Sequence, residues 1–267
     1  MRPHTFTRHI QRIAVAAIIA TGCLAAPVAS AQSSVSGSLD NVLAAGQPGP
    51  HRVEGNYFTS PTAPAEQKAQ PGVAIVGPST PITMGDNVCT IAVAGTDEAG
   101  RAVALTAGHC GGVGAEVRAM DAPAAGVIGK VARVVAGDVA VIELNDHARV
   151  AAHYNNVAIN QVGGPSPAAL QEVCKTGVAT GTSCGATINA TNDRLLAHLC
   201  GSFGDSGAPI YAGNRLLAVL NGGLAGLPAC TTPLQGPVHA PTVGTPWAKI
   251  SADLNRGGVG AGFRPAN

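Results

Sequence analysis

Residues Gly204–Pro209 read G-D-S-G-A-P, an aspartate and a serine set between glycines in a chain that carries few charges. Gly, Asp, Ser and Pro favour tight turns for local conformational reasons, so a surface turn is one reading. The other is a nucleophile loop, in which glycines free backbone N–H groups to face a reacting carbonyl. The hexapeptide does not choose between them; its surroundings do.

The chain has 267 residues, enough for one or two domains with a sizeable core. Charged residues make up 12 % and the formal net charge is +1, unlike the basic footprint of a nucleic-acid binder. Gly (35) and Pro (19) are abundant and aromatics scarce. Short apolar runs broken by turn residues, without long amphipathic helical patterns, predict an all-β fold. Strand-like runs fall at Thr90–Ala94, Ala102–Thr106, Val127–Val135, Val139–Leu144, Ala186–Ala190, Arg194–His198, Pro209–Ala212 and Leu216–Asn221. Near the end, Thr245-Pro246 followed by Trp247–Leu254 predicts one short helix with an N-terminal proline.

At the N-terminus, Arg2, Arg8 and Arg12 precede an apolar stretch from Ile13 to Ala20, and Ala29-Ser30-Ala31 has small residues at the cleavage positions. This is the pattern of a signal peptide over residues 1–31. Thr21-Gly22 and Pro27 leave the run too short for a membrane span. Ala20-Thr21-Gly22-Cys23 has the outline of a lipoprotein box, with Ala20 where a larger aliphatic residue is usual. Residues 32–72, rich in Ser, Ala, Gly and Pro with little periodicity, read as a linker or short pro-segment.

Beyond Cys23 the cysteines are Cys89, Cys110, Cys174, Cys184, Cys200 and Cys230. An even set in an exported chain implies three disulfides, out of fifteen possible pairings. No close CxxC pair suggests a metal site, and no cofactor is implied. The expectation is a monomeric protein, secreted to the extracellular space or cell envelope, with no stable membrane association after signal removal.

Three stretches carry chemistry. Leu105–Cys110 reads L-T-A-G-H-C, Gly137–Leu144 reads G-D-V-A-V-I-E-L, and Cys200–Gly207 reads C-G-S-F-G-D-S-G. A serine hydroxyl becomes a useful nucleophile when an imidazole takes its proton. A carboxylate on the other ring nitrogen fixes the tautomer and stabilises the imidazolium. His109, Asp138 and Ser206 supply these groups in the order His, Asp, Ser. Each alone has a plainer reading: a buried or solvated histidine, a turn aspartate opening a strand, a serine in a Gly-rich turn. Their joint occurrence, in order and in context, points to the catalytic set.

From about Ala74 to Leu254 the chain resembles the chymotrypsin-like serine proteases of the bacterial α-lytic protease and streptogrisin branch. The resemblance rests on T-A-G-H-C-G around His109, on V-C-K-T-G-V-A-T-G-T-S-C-G from Val173 to Gly185, and on Cys200 six residues before Ser206. It implies two antiparallel β-barrels, about 73–165 and 166–267, with the active site in the cleft between them. It also implies the pairings Cys89–Cys110, Cys174–Cys184 and Cys200–Cys230, and an oxyanion hole formed by the N–H groups of Gly204 and Ser206. Ile75-Val76-Gly77 resembles the mature start of α-lytic protease, which places a cleavage near Val73.

Several positions depart from that pattern. Asn221 stands where the family has a serine bonded to the triad aspartate, and Ala208 replaces a glycine common in relatives. Bacterial relatives often pair the aspartate beside the nucleophile with an arginine, and Ala158–Pro165, the expected loop, contains none, leaving Asp205 without an identified partner. Leu199, Leu220, Asn221, Gly222 and Gly223 are the candidate substrate-binding residues. No acid precedes Ser206 at a pocket base, so a small or medium apolar substrate residue is expected, with His198 as the alternative, a partner for an acidic one. The leading reading is a secreted serine endopeptidase acting on protein or peptide substrates. The alternative is a catalytically impaired protease-fold protein acting as a secreted binding module.

Overall fold

The computed structural model describes residues 49–267. The signal-peptide segment 1–31, the alternative at Cys23 and the start of the 32–72 segment lie outside the described residues. The first half contains β1 (Ala74–Val76), β2 (Pro81–Met84), β3 (Asn87–Thr90), β4 (Val93–Thr96), β5 (Ala102–Ala107), β6 (Glu116–Ala119), β7 (Val127–Val135), β8 (Val139–Leu144) and β9 (Ala148–Val150). The strands β10 (His153–Tyr154) and β11 (Val157–Ala158) pair in a small hairpin. Then come β12 (Gln161–Val162), β13 (Glu172–Gly177), β14 (Gly181–Ala190), β15 (Leu195–Ala197), β16 (Pro209–Ala212), β17 (Arg215–Gly223) and β18 (Thr242–Pro246). The chain finishes with the helix Trp247–Leu254 and β19 (Arg264–Pro265).

The strands form two antiparallel barrels, the first an open, curled sheet and the second closed. In the first, the order is β4-β5-β8-β7-β6-β2-β3, with β19 added beside β4. The second runs β16-β13-β14-β15-β18-β17 and closes because β17 pairs with both β16 and β18. The run Thr90–Ala94, expected as one strand, is divided between β3 and β4. Ile91 donates its N–H to Thr80 O at 2.9 Å and Ala92 donates to Leu105 O at 2.8 Å, so these two residues turn the chain across the barrel seam.

Strands β5 and β8 are apolar on both faces, which is why they read as continuous runs rather than alternating ones. Ala104, Ala107, Ala140 and Ile142 face the first barrel's own core. Val103, Leu105, Val139 and Val141 face outward, against Leu216 and Val219 of β17 and Trp247, Ile250 and Leu254 of the helix. Full burial of such a side chain is worth about 1.5–3 kcal/mol. The barrels are thereby fused along the two strands whose ends carry His109 and Asp138.

The segment before β1 is packed too, by polar groups rather than by an apolar pattern. Arg52 forms an ion pair with Asp121, and Tyr57 donates its N–H to Thr231 O at 2.9 Å. Ser60, 2 % exposed, donates its hydroxyl to Val178 O. Gln67 follows in the short helix Ala65–Ala69; its Nε2 donates to Val73 O at 2.9 Å and its Oε1 accepts the Ile75 N–H at 2.7 Å. Losing that amide would leave the Ile75 N–H buried without a partner, a cost of about 1–3 kcal/mol. Such a segment leaves no hydrophobic periodicity in the sequence.

Candidate active site

His109 lies in the tight turn Gly108–Cys110 directly after β5, and Cys110 is tied to Cys89 on β3 by a disulfide. Asp138 lies in the loop between β7 and β8. That loop turns through Ala136 and Gly137, both with positive φ (52° and 87°), and the Ala136 N–H donates to Asp253 Oδ2 at 2.6 Å. The helix thus holds the loop that aims the aspartate. His109 donates its backbone N–H to Asp138 Oδ1 at 2.8 Å, and its Nδ1 lies 2.9 Å from Oδ2. Its Nε2 lies 2.8 Å from Ser206 Oγ.

Asn221, which stands where the resemblance implies a serine, bonds the same carboxylate. Its Nδ2 donates to Asp138 Oδ2 at 2.9 Å and to the Asp138 carbonyl at 2.6 Å. Thr245 donates its hydroxyl to Asn221 Oδ1 at 2.6 Å, which fixes the amide orientation. The Asp138 bond shifts the His109 pKa above 6.5; desolvation opposes it and the carboxylate charge adds to it. Burial alone would push the Asp138 carboxyl up, but the His109 ring and backbone N–H together with the Asn221 amide outweigh it and hold the group low.

The Ser206 loop is built on a turn in which Asp205 donates its N–H to Ser202 O at 3.0 Å, with Gly204 at φ 100° in the third position. A side-chain-bearing residue rarely adopts that conformation. Gly207 is required for a different reason: a Cβ there would lie 2.0 Å from Thr106 Oγ1 and 2.3 Å from Thr90 O. The loop is therefore seated on the first barrel through backbone contact. Thr90 also donates its hydroxyl to Gly204 O at 2.8 Å. The N–H groups of Gly204 and Ser206 make no hydrogen bond within the described residues.

Asp205, fully buried, is held from beneath. Its Oδ1 accepts the N–H groups of Ala179 (2.8 Å) and Thr180 (3.2 Å), and its Oδ2 accepts the Thr180 hydroxyl (2.6 Å) and the Ser202 N–H (3.1 Å). The cation is Lys175, also fully buried, with Nζ 3.1 Å from Asp205 Oδ2 and 3.0 Å from Gly181 O. Burial pushes the Lys175 ammonium below its ordinary pKa, and the charge of Asp205 works against that shift. The partner that the sequence left unidentified, with no arginine in Ala158–Pro165, is thus supplied by V-C-K-T-G. The signal was present in the sequence: in β13, Lys175 shares a face with Val173, so its side chain points into the barrel.

A cleft of about 720 Å³ runs past these groups, lined by His109, Ser206 and Gly204, by Leu220–Ala225, and by Asp86–Cys89. Leu220, Asn221, Gly222 and Gly223, candidate substrate-binding residues, line it. Leu199 does not: it is fully buried in the second barrel's core, where its carbonyl accepts the hydroxyl of the cleft residue Thr242 at 2.8 Å. His198 also lies off the cleft, stacked on His239 with ring centroids 4.5 Å apart and its Nε2 3.1 Å from Pro237 O. Ala208 is buried in the same core as Leu199. The disulfides Cys174–Cys184 and Cys200–Cys230 complete the three bridges the resemblance implied. Among the described residues no cluster of His, Cys, Asp and Glu is arranged to hold a metal ion, and no helix is long and apolar enough to cross a membrane.

No protein-family model matches the sequence, and no curated protein matches it. Solved structures do match. Protease A of Thermobifida fusca aligns with a TM-score of 0.56 at 22 % identity, over 73 % of this chain and 100 % of that one. The protease of Nocardiopsis aligns with a TM-score of 0.54 at 21 % identity, over 73 % of this chain and 100 % of that one. Cellulomonas bogoriensis chymotrypsin aligns with a TM-score of 0.52 at 24 % identity, over 67 % and 95 %. At these identities the likeness shows the fold, which is that of the bacterial chymotrypsin-like serine proteases.

Proposed function

We propose that this protein is a secreted serine endopeptidase that hydrolyses peptide bonds through an acyl-enzyme. The observation that carries the reading is the unbroken chain from Asp138 through both His109 ring nitrogens to Ser206 Oγ. In the first half-reaction Ser206 Oγ attacks the peptide carbonyl while His109 Nε2 takes its proton. His109 then gives that proton to the leaving amine, and Asp138 stabilises the imidazolium in between. Water, deprotonated by His109, releases the acyl group. The N–H groups of Gly204 and Ser206 are free to receive the oxyanion, each worth about 3–4 kcal/mol in the transition state.

The sheet supports one substrate placement. Gly222 and Gly223 pair with Val243 and Thr242 on one side, while β16 pairs with β17 only as far as Val219. The other edge of Asn221–Gly223 is open to an extended peptide strand. The pocket beside it, lined by Leu220, Ala229, Ala240 and Thr242, suits a small or medium apolar side chain. Export is supported by the three disulfides, which persist in oxidising compartments, and by the leader-like N-terminus.

The test is a fluorophosphonate probe applied to the secreted protein, with the labelled residue mapped. Label on Ser206, lost together with peptide hydrolysis in Ser206→Ala, is expected. A folded wild type that neither labels nor hydrolyses would instead be a binding module on a protease fold.

A further inference from the structure

The segment before β1 reaches the cleft. Val53 contributes to its lining, and its Cγ2 lies 2.9 Å from the point where a Cβ on Gly204 would sit. A turn places it there: Asn56 donates its N–H to Val53 O at 3.1 Å, with Gly55 at φ 72° inside the turn. On either side of that turn the segment is anchored to both barrels. Arg52 pairs with Asp121 in the loop between β6 and β7, and Thr62 accepts from Asn155 Nδ2 at 2.6 Å. Tyr57 and Ser60 bond to Thr231 O and Val178 O in the second half of the chain. Asp121 is itself engaged by the hydroxyl of buried Tyr154. The segment thus bridges the two barrels, with Asn56 and Ser60 buried between its anchors.

We infer that residues 50–62 are a permanent strap of the working enzyme, and that Val53 is a specificity-determining residue for the part of the substrate that departs as the amine. This rests on the peptidase reading. The lining of the cleft divides by element. Residues from β17, β18 and their connecting loop offer the open strand edge and the apolar pocket, and there the acyl part of the substrate lies. Asp86–Cys89, joined to the His109 turn by the Cys89–Cys110 disulfide, and Val53, against Gly204, come from β3, the turn before it and the strap, and form a second wall of the cleft. The leaving residue passes along that wall, against a valine methyl packed on the oxyanion loop. Among the described residues nothing bonds the N–H groups of Gly204 and Ser206, so the strap leaves them open. It acts as a wall and not as a plug. A strap of this kind conflicts with maturation near Val73, which the resemblance to α-lytic protease suggests.

The experiment starts with the mass and N-terminus of the active protein recovered from the medium, titrated with a fluorophosphonate. A mature chain that retains Val53 is expected; an active chain beginning at or near Val73 overturns the inference. Wild type, Val53→Ala and Val53→Phe are then assayed on peptides that differ only in the residue after the scissile bond. Adding or removing side-chain volume in an apolar subsite changes discrimination by about tenfold or more. The ratio of kcat/KM for Leu over Gly at that position is expected to fall about tenfold in Val53→Phe. The preference among acyl-side residues should stay that of wild type, which a mere loosening of the fold would not respect. An enzyme that labels and hydrolyses but shows the same leaving-residue ratio in all three forms overturns the role of Val53. A protein that neither labels nor hydrolyses overturns the peptidase reading itself.

Discussion

Two aspartates flank the His109–Ser206 pair, and they are held in opposite ways. Asp138 is about a third exposed, with a side-chain accessibility of 36 %, and its partners are neutral donors and an imidazole that carries charge only in passing. Asp205 has an accessibility of 0 % and faces the ammonium of Lys175, equally buried. In the proposed reaction, the first arrangement leaves a carboxylate free to respond to a proton moving on His109. The second locks a charge in place so that the loop carrying Gly204 and Ser206 keeps one shape. Function and architecture thus draw on the same side chain, and solvent access with partner charge decides which it serves.

Asp138→Asn should act on rate alone. It leaves the hydrogen-bonding outline intact but favours the wrong histidine tautomer. A loss in kcat of about 10⁴-fold is expected, the size of the effect when the triad aspartate of a trypsin-like enzyme is changed in the same way. Thermal unfolding should barely move; a loss of stability as large as that of the Lys175 variant would erase the contrast. Lys175→Met should act on the fold instead. Removing one member of a buried pair leaves an uncompensated charge, costing about 3–5 kcal/mol in denaturant unfolding. A cost below about 1 kcal/mol, the scale of a surface pair, would show that Asp205 does not need its cation.

Asn221 sharpens the Asp138 side of the comparison. Its amide gives the carboxylate a charge-assisted bond worth about 1.5–3 kcal/mol. Asn221→Ser keeps a donor and should change kcat/KM by less than about tenfold, or 1.4 kcal/mol. Asn221→Leu removes the donor, adds bulk beside Gly222 and should cost clearly more. Equal activity in all three would take Asn221 out of the mechanism. The smallest effect is in the pH profile. His109 must be neutral to act as base, and Asp138 raises its pKa, so kcat/KM should rise with pH through a midpoint above the ordinary 6.5. In Asn221→Leu the carboxylate loses a donor that holds its own pKa down, so the acid side of its titration should move upward. A wild-type midpoint at or below 6.5 would contradict the geometry.

Much of this protein is legible in its amino-acid order. The strands β5, β7, β8, β16 and β17, the helix at Trp247–Leu254, and the order of His109, Asp138 and Ser206 are written locally, in apolar runs, turn residues and short motifs. The resemblance supplied the three cysteine pairings. Other features exist only once the barrels close. Lys175 and Asp205 are thirty residues apart and meet beneath the Ser206 loop because β13 carries the lysine under it. The Asn221 amide is aimed by Thr245 from the neighbouring strand, and Leu199 turns into the core rather than toward substrate. Residues 50–62 are fixed by hydrogen bonds and one ion pair, which leave no periodicity behind. Periodicity reports which face of an element is buried, whereas the partner of a buried charge, amide or hydroxyl is chosen by the tertiary packing that removes water from around it.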